Sequence, residues 1–523
     1  MKIKILIYFL LINVISQAQE NYSKSDFFKV RKDNHYGLFD TSGKEIFEPK
    51  YDYITIGDDE FKVCLNGYCS IIDKITGKTI GLKYEDVDGF HENLAMVKIN
   101  GKYGYIDKTG KLVIEAIYSS ATSFSEGLAM VALKDDKYGF IDTKGKIVIP
   151  FKYDDQCEYF EDGFACVEKN GKATLIDKTG KELIPYKYDY IYKLHDGFYE
   201  VRINNQEGLI DKQGNEIVPV KYNYLYISEN GQIYFGNDNQ FGSINLVTGE
   251  EIFSVEGDPH ENLSSEKIII SKREKYGVIN NKGEVLIDFK YNSIKSFTEN
   301  LVLARLKDKF GVLNFDGKEV LGFEYDHILA CSEDIFAVGK LEEGKSGKSF
   351  LQLDIIDKNM KKITSASYLN VGVFSEGMLM VEYGEGGIEN VLSGCIVSPF
   401  RKPGKWGFIN KKGKEVVSPQ YDSVNRFSEG LAAVQDQNKK WGFIDKKGKV
   451  IIPIKYDSVE NFKNDISIVC LNKKLGVVDK TGKIVIPIEY DSIEDEYLSL
   501  EDYDLNQPYK PYYGSSLKFL FYD

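Results

Sequence analysis

The sequence is poor in histidine and cysteine, two residue types that often carry chemistry. It has five histidines in 523 residues, and none lies in a His-Glu-x-x-His motif or another paired spacing typical of metal ligands. No Cys-x-x-Cys pair gives the ligand spacing of a zinc site. No Gly-x-Ser-x-Gly motif is present, so the nucleophile signature of one large hydrolase class is absent. A catalytic triad assembled from distant residues stays open.

The chain also lacks an excess of basic charge and, beyond its first residues, any long apolar run. It has 67 basic and 80 acidic residues, a formal net charge of −13, and both signs alternate along its length. This pattern argues against the extended basic stripe of a nucleic-acid-binding protein. No segment after residue 15 approaches the roughly 18 consecutive apolar residues of a membrane-spanning helix. We therefore expect no nucleic-acid partner and no transmembrane segment in the mature protein.

The N-terminus is typical of a secretory signal peptide. Lys2 and Lys4 precede an apolar run at residues 5–15, and the small residues Ser16 and Ala18 suit the −3 and −1 positions of a cleavage site. This predicts a signal peptide at residues 1–18. The mature protein would then be exported, and it would be periplasmic, attached to the cell surface or secreted.

The seven cysteines do not predict a disulfide framework, because their number is odd and they recur at no fixed repeat position. Cys166 and Cys470 lie at strand positions where other copies of the repeat have Met or Val. We expect these two to be small buried hydrophobic residues. Cys64 and Cys69 are close enough in sequence to pair across a hairpin, and this pairing stays open.

Aromatic residues and glycine, by contrast, are abundant. The 36 Tyr and 31 Phe favour strands, and 47 Gly against 12 Pro suit many tight turns. Hydrophobic residues make up 42% of the chain, which is enough to bury a core. The length exceeds that of an ordinary domain, but a repeat array escapes this limit because each copy contacts mainly its neighbours.

Most of the chain consists of copies of one sequence unit. The segment 137–154 recurs almost unchanged at 440–457. Thirteen copies align on the position that follows an aromatic residue in most of them. Ten of the twelve distances between successive aligned positions are 33–35 residues, and the other two are 43 and 53. Such internal repetition outranks other indicators of fold. We interpret residues 30–330 as nine copies, 331–404 as a degenerate copy with loop inserts, and 405–491 as three further copies.

Each copy has the pattern of short strands joined by turns. Apolar and polar residues alternate over runs of four to seven residues, which is the period of a strand. Asp-x-x-Gly-Lys between two such runs predicts a hairpin with a positive-φ glycine. A proline after Ile-Val-Ile predicts a strand end, with the following Lys-Tyr-Asp as a turn, so one copy would hold about three strands. Residues 19–29 would be a leader, and the acidic, Tyr-rich residues 492–523 a tail or a cap.

Two copies carry Trp-Gly at the aligned position, and they resemble the WG-repeat family. The resemblance lies in Trp-Gly-Phe-Ile at 406–409, Trp-Gly-Phe-Ile-Asp at 441–445, the preceding Phe-Ser-Glu-Gly at 427–430 and the following Lys-Tyr-Asp at 455–457. It covers about residues 30–491. The resemblance implies an exported bacterial repeat protein with a β-rich scaffold, for which binding is the usual expectation. It supplies no catalytic, metal-binding or cofactor-binding residue.

The signature residues are candidate site residues, and we interpret them as structural. The aromatic residues could instead line a carbohydrate-stacking surface, and the aspartates could form a row of carboxylates for a cation or a sugar. Replacement of the aromatic by Leu475 or Ala173, and of the aspartate by Asn280 or Asn410, favours packing and turn formation. We predict no catalytic residue, metal ligand or cofactor. The signature residues are Tyr36, Gly37, Tyr103, Gly104, Asp107, Tyr138, Gly139, Asp142, Phe241, Gly242, Tyr276, Gly277, Phe310, Gly311, Trp406, Gly407, Trp441, Gly442, Asp445 and Gly476.

These observations predict an all-β fold of tandem antiparallel β-hairpin repeats in an open, superhelical, solenoid-like array. Thirteen copies exceed the four to eight blades of an ordinary propeller, so two successive β-propellers are the alternative. The expected function is an exported, non-enzymatic scaffold for binding or protein–protein interaction, with a protein, peptide or glycan as its unknown partner. The alternatives are a hydrolase-like enzyme with a site in the irregular region 341–404, and a structural cell-surface protein.

Overall fold

A computed structural model describes residues 27–495, except for residues 134–136, 157–158, 195–196, 228–232, 238–239, 246–248, 265–266, 333, 344–348, 360 and 385–403. The described residues form strands, turns and loops and contain no α-helix. Within them, no helix is long and apolar enough to cross a membrane. The predicted all-β fold of antiparallel repeats is confirmed. The signal peptide predicted for residues 1–18 lies outside the described residues.

The chain divides into two compact units, each built of small antiparallel sheets. Most sheets have four strands, hydrogen-bonded in chain order, so that each repeat forms a meander. The first compact unit consists of Met1–Leu225, Leu246–Glu250 and Asp491–Leu500. Among the described residues, the second compact unit lies within Tyr226–Asn245 and Glu251–Tyr490.

The first compact unit contains most of the strands up to residue 227, grouped here by sheet. They are β1 (Phe27–Lys32), β2 (His35–Asp40) and β3 (Glu45–Tyr51); β4 (Tyr53–Ile56), β5 (Glu60–Leu65), β6 (Tyr68–Asp73) and β7 (Thr79–Tyr84); β8 (Asp86–His91), β9 (Leu94–Ile99), β10 (Lys102–Asp107) and β11 (Leu112–Tyr118); β12 (Ser120–Ala121), β13 (Leu128–Ala132), β14 (Tyr138–Asp142) and β15 (Ile147–Tyr153); β16 (Asp155–Gln156), β17 (Phe164–Lys169) and β18 (Lys172–Asp177); β19 (Tyr190–Lys193), β20 (Phe198–Ile203), β21 (Gln206–Asp211) and β22 (Glu216–Tyr222). β23 (Tyr224–Ile227) follows where the chain passes from one unit to the other.

The second compact unit contains the following strands, again grouped by sheet. They are β24 (Ile233–Asn237), β25 (Gln240–Ile244) and β26 (Glu251–Glu256); β27 (Asp258–Ser264), β28 (Lys267–Lys272), β29 (Lys275–Asn280) and β30 (Val285–Tyr291); β31 (Ser293–Thr298), β32 (Leu301–Leu306), β33 (Lys309–Asn314) and β34 (Glu319–Tyr325); β35 (His327–Ser332), β36 (Ile335–Glu343) and β37 (Ser349–Asp357); β38 (Asn370–Ser375), β39 (Met378–Tyr383), β40 (Lys405–Asn410) and β41 (Glu415–Tyr421); β42 (Ser423–Val424), β43 (Leu431–Gln435), β44 (Trp441–Asp445) and β45 (Val450–Tyr456); β46 (Ser458–Val459), β47 (Ile466–Leu471), β48 (Lys474–Asp479) and β49 (Ile484–Tyr490). The last strand, β50 (Ser492–Asp495), belongs to the first compact unit.

The strand before Lys-Tyr-Asp is longer than predicted, because it extends into the segment that was expected to form a turn. β15 continues through Pro150 to Tyr153, although the proline was expected to end the strand. Pro150 is exposed and β15 lies at the edge of its sheet, so the missing N–H interrupts no inner ladder. The residues after Lys-Tyr-Asp then form a further strand, such as β16 or β19, so a typical repeat has four strands rather than three.

The first and last strands of the described chain share one sheet. β50 pairs antiparallel with β1, with Val30 opposite Ile493. Lys29 and Glu494 form an ion pair of 2.6 Å on the same two strands. The predicted open array, whose ends would be separate, is wrong on this point. Without β50, the backbone N–H and C=O groups along one side of β1 would be an uncovered sheet edge.

Apolar packing is divided among small clusters, each between neighbouring sheets. In the first compact unit, Phe140 on β14 and Phe160 in the connection between β16 and β17 pack edge to face with ring centres 5.0 Å apart. In the second, Phe443 and Phe462 make the equivalent contact at 4.8 Å. Each repeat therefore buries its apolar surface against the next one, as expected for a repeat protein.

One disulfide joins two neighbouring strands of the first compact unit. Cys64 on β5 and Cys69 on β6 are directly opposite in the ladder and are bonded to each other. Cys166 and Cys470 are buried thiols, so the expectation for these two is confirmed. Cys331 is a third buried thiol.

Candidate functional site

The aromatic residue of the signature lies opposite the tyrosine of Lys-Tyr-Asp in the sheet. Trp441 pairs with Tyr456, and both are buried. Such cross-strand neighbours pack directly on each other, which leaves Trp441 only 3% exposed. The same positions pair Tyr36 with Tyr51, Tyr103 with Tyr118, Tyr138 with Tyr153, Tyr276 with Tyr291, Phe310 with Tyr325 and Trp406 with Tyr421, while Phe241 pairs with Val255, Ala173 with Tyr188 and Leu475 with Tyr490.

The glycine after the aromatic lies where two backbone segments approach closely. A Cβ built on Gly139 would be 2.6 Å from the carbonyl oxygen of Ile149, and one on Gly442 would be 2.6 Å from that of Ile452. The register of the ladder shifts across this glycine and again after the phenylalanine that follows it, which marks a bulge. A Cβ would meet a carbonyl oxygen at 2.3–2.9 Å at the other positions too: Gly37, Gly104, Gly242, Gly277, Gly311, Gly407 and Gly476.

The aspartate of the signature bonds to its own hairpin turn. Oδ1 of Asp142 accepts hydrogen bonds from the N–H groups of Lys144 and Lys146, at 3.0 and 2.9 Å. The amide oxygen of Asn280 accepts the equivalent two bonds, at 3.0 and 2.9 Å, without a negative charge. Asp107 and Asp445 have the same geometry. Among the residues that the structure describes, no group of three or more His, Cys, Asp or Glu is placed to hold a metal.

The aspartate of Lys-Tyr-Asp connects consecutive repeats. Asp457 forms an ion pair with Lys440 of its own repeat, and its Oδ2 accepts a hydrogen bond of 2.6 Å from the N–H of Asn472 in the next repeat. Hydrogen bonding to Lys440 is the main reason that the pKa of Asp457 is lowered. Asp154 makes the same two contacts, with Lys137 and with the N–H of Asn170.

The Ser-Glu-Gly segment also connects repeats. The Ser428 hydroxyl donates to the carbonyl of Phe462 at 2.6 Å. Glu429 accepts from the N–H of Asn464 at 2.7 Å and pairs with Lys480 at 3.1 Å. The repeated polar side chains are thus occupied within the scaffold. A site for a partner is therefore best sought where a repeat departs from the signature.

One repeat has a carboxylate at the aromatic position. Glu207 lies opposite Tyr222, where most other repeats place Tyr, Phe or Trp, and it is 9% exposed. Its oxygens accept hydrogen bonds of 2.7 Å from Arg202 and from the backbone N–H of Leu225. These two donors compensate the loss of hydration that a carboxylate suffers at a buried position.

The same face of this sheet carries two exposed tyrosines. Tyr190 and Tyr192 on β19 are 42% and 48% exposed, whereas Ile191 between them is 1% exposed. Alternate residues of a strand share a face, so both rings project from the same side. The rings are nearly parallel, at 7°, with their centres 6.4 Å apart.

Charged residues on the neighbouring strand flank these tyrosines. Arg202 lies opposite Tyr190, and Glu200 opposite Tyr192. The Arg202 guanidinium is 5.7 Å from the centre of the Tyr190 ring and 3.2 Å from Glu200. Burial raises the pKa of the Glu200 carboxyl, and the charge of Glu207 raises it further. We call Tyr190, Tyr192, Glu200, Arg202 and Glu207 the tyrosine–glutamate cluster.

The cluster was not predicted from the sequence, because its residues are not among those that the copies share. The sequence feature that could have revealed the cluster is that these residues differ from the shared signature. Glu-Gly replaces aromatic-Gly at residues 207–208, and Tyr-Ile-Tyr stands at 190–192. The pairing of β19, β20 and β21 is what places these residues side by side.

The irregular region 341–404 begins with the end of the long hairpin formed by β36 and β37. Asp354, which replaces the aligned glycine, is bonded to Lys362 at 2.7 Å and to Ser367 at 2.6 Å. Glu376 pairs with Lys446 at 3.0 Å. In the described part of this region these carboxylates are engaged by donors of the chain itself. Residues 344–348, 360 and 385–403 lie outside that part.

A serine and a histidine meet on the second compact unit. Nε2 of His260 is 2.8 Å from the Ser271 hydroxyl, and the pair is exposed. A nucleophilic triad needs a third group to orient the imidazole. Among the described residues no carboxylate accepts a hydrogen bond from His260, so this pair alone does not define an active site.

The model of the WG-containing repeat family matches ten segments, which together cover more than half of the chain. The segments are residues 36–59, 72–103, 103–138, 138–172, 174–206, 208–235, 276–310, 406–441, 441–474 and 476–497. The chain therefore belongs to the WG-containing repeat family. No curated protein matches the chain in sequence.

Solved structures show only distant likeness. BamB from Moraxella catarrhalis is 13% identical with a TM-score of 0.26, covering 51% of this chain and 94% of its own. Apo AztD from Citrobacter koseri is 12% identical with a TM-score of 0.24, covering 50% and 92%. The WD40 β-propeller domain of Doa1 is 14% identical with a TM-score of 0.22, covering 41% and 87%. These values add nothing to the interpretation of the site.

Proposed function

We propose that the protein is an exported, non-enzymatic scaffold that binds a partner through side chains outside the repeated signature. The observation that carries this proposal is the contrast between the repeated and the non-repeated polar groups. The repeated aspartates, serines and glutamates bond within or between repeats, as Asp457 and Glu429 do. The tyrosine–glutamate cluster instead exposes two rings beside charged groups.

The composition of the cluster suits a binding surface. Tyrosine and arginine are enriched at protein interfaces, because each combines a large contact area with hydrogen-bonding capacity. Tyr190 and Tyr192 are mounted on a strand that Ile191 anchors in the core, so the rings are held by a rigid element. A surface held in this way loses little conformational freedom when a partner binds.

The disulfide supports export. Disulfides persist in oxidising compartments and are rare in the reducing cytosol. The bond between Cys64 and Cys69 therefore fits a protein that leaves the cytoplasm, as the N-terminal sequence at residues 1–18 predicts.

An array of peptides, glycans and purified exported proteins tests this proposal. The probes are the full chain, the double variant Tyr190→Ala/Tyr192→Ala and the control Tyr159→Ala, which removes an exposed tyrosine outside the cluster. We expect a set of array members that bind the wild type and the control but not the double variant. Identical array profiles for all three proteins would contradict the proposed use of this surface.

A further inference from the structure

Arg202 shows how the cluster accommodates a cation. Its guanidinium lies over the Tyr190 ring, at 5.7 Å from the ring centre, and its Nη2 bonds to both Glu200 and Glu207. One guanidinium thus contacts one aromatic face and two carboxylates. Attraction of the cation to the ring and to the carboxylates is the physical basis of this arrangement.

Tyr192 and Glu200 also place an aromatic ring beside a carboxylate. They are directly opposite each other on β19 and β20, as Tyr190 and Arg202 are. Within the described residues no cation lies over the Tyr192 ring, which is 48% exposed. Glu200 receives a single bond from Arg202, and that bond, at 3.2 Å, is longer than the 2.7 Å bond to Glu207.

We propose that the tyrosine–glutamate cluster binds an arginine-bearing peptide segment of a partner protein. A guanidinium of the partner lies over Tyr192 and pairs with Glu200, beside the guanidinium of Arg202 over Tyr190. This inference rests on the proposed function and specifies the chemistry of its ligand.

Charge complementarity favours a cationic ligand. The cluster has two carboxylates and one guanidinium, so its formal charge is −1 when both glutamates are ionised. Burial is the main cause that raises the pKa of the Glu200 carboxyl, and the negative charge of Glu207 raises it further. An arriving cation compensates this excess, whereas a neutral sugar stacked on the same rings leaves it in place.

A second tyrosine at an equivalent place in the fold also has a cation beside it. Tyr53 is the first residue of β4, as Tyr190 is of β19, and it is exposed. The Lys29 ammonium lies 5.8 Å from the centre of the Tyr53 ring. Tyr53 thus receives a cation as Tyr190 receives the Arg202 guanidinium, which is the kind of contact proposed for Tyr192.

The test is a titration of the full chain with a fluorescein-labelled twelve-residue peptide of repeated Arg-Gly-Ser, read by fluorescence anisotropy. The matched peptide carries citrulline, which keeps the shape of arginine but not its charge. We expect the arginine peptide to bind more tightly than the citrulline peptide, and its affinity to fall as salt is raised. Tyr192→Ala and Glu200→Gln should each weaken binding by about threefold, the size expected of one partly exposed contact.

Two further variants separate recognition from damage to the fold. Tyr192→Phe keeps the aromatic face and should bind like the wild type, and Tyr159→Ala should not change binding. Equal affinity for the two peptides, or unchanged binding by Tyr192→Ala, overturns the proposal. If Tyr190→Ala/Tyr192→Ala loses a neutral glycan while no arginine peptide binds, the scaffold function stands and the cationic ligand is wrong.

Discussion

The backbone N–H of Asp33 donates a hydrogen bond of 2.9 Å to Oδ2 of Asp491, 458 positions later in the chain. The N–H of Asp491 in turn donates to the carbonyl of Arg31 at 2.7 Å. Asp457 makes the same two contacts with the repeat that follows it, through the N–H of Asn472 and the carbonyl of Cys470. The first repeat is therefore attached to Asp491 in the way that an inner repeat is attached to its predecessor.

Loss of this attachment should destabilise the sheet formed by β1–β3 and β50. Asp491→Ala removes the acceptor for the Asp33 N–H, and we expect the unfolding free energy of this sheet to fall by about 1 kcal/mol. Hydrogen exchange of the β1 and β2 amides measures this local stability. Asp288→Ala removes an exposed aspartate of β30 and should leave exchange in β1 and β2 unchanged.

Two truncations extend this prediction. A chain ending at Asp495 keeps β50, and exchange in β1 should match that of the full chain. A chain ending at Tyr490 loses β50 and uncovers the edge of β1, so its β1 amides should exchange faster. Equal protection of β1 in the two truncated chains would mean that β50 does not stabilise the sheet.

The signature glycine should tolerate no side chain. In Gly442→Ala the new Cβ would lie 2.6 Å from the Ile452 carbonyl oxygen and 2.7 Å from Ile454 backbone atoms. The backbone would have to move to relieve these close contacts. We therefore expect the free energy of unfolding to fall by about 1–3 kcal/mol, measured by urea denaturation. The matched control is Gly322→Ala, because a Cβ there would have no heavy atom within 4 Å. A loss as large in the control would rule out the close backbone approach as the cause.

The aspartates of the hairpin turns should make the protein sensitive to acid. A hydrogen bond from a threonine hydroxyl is the main cause that lowers the pKa of Asp107, Asp177 and Asp479 below the usual 3.8. A carboxyl with a lowered folded-state pKa stabilises the fold above its unfolded pKa, and this stabilisation is lost as the pH falls through the folded value.

Replacement of these three aspartates by asparagine should therefore reduce the loss of stability in acid. The turn should persist, since Asn410 accepts bonds from Lys412 and Lys414 at 2.9 and 3.1 Å. We expect the triple variant to lose less unfolding free energy than the wild type between about pH 5 and pH 2, measured by urea denaturation at each pH. Parallel curves for the two proteins would contradict this role of the carboxylates.

The disulfide should stabilise the first compact unit. The double variant Cys64→Ser/Cys69→Ser loses the covalent link across the β5–β6 hairpin, and we expect a loss of about 2 kcal/mol for a loop this short. The thermal unfolding midpoint measures the effect. Reductant should lower the midpoint of the wild type but not that of the double variant. If reductant acts equally on both proteins, the disulfide is not the cause.

Much of the repeat was predictable because its determinants are local in sequence. The alternation around Phe140 and Ile141 predicts a strand, and the Asp-x-x-Gly spacing after it predicts a hairpin. Family membership followed from the regular recurrence of Trp-Gly and its variants. The end of the strand at Pro150 was predicted wrongly, since proline interrupts a strand only where its missing N–H would have had a partner.

The candidate site was not predictable in this way. Tyr192 and Glu200 are eight positions apart, and nothing in either residue marks it as part of a site. Only the antiparallel pairing of β19 with β20 puts them opposite each other, and only the pairing of β20 with β21 adds Glu207. Their shared electrostatic environment is a consequence of this register.

The sequence by itself thus determined the family, the hairpin turns and most of the strands, because each depends on residues within one repeat of about 34 positions. The tertiary structure decided that β50 pairs with β1. It also decided which residues that differ from the signature lie together on one face of a sheet. Both outcomes depend on pairing between strands, and pairing is fixed by the hydrogen bonding and burial of the folded chain rather than by any single segment.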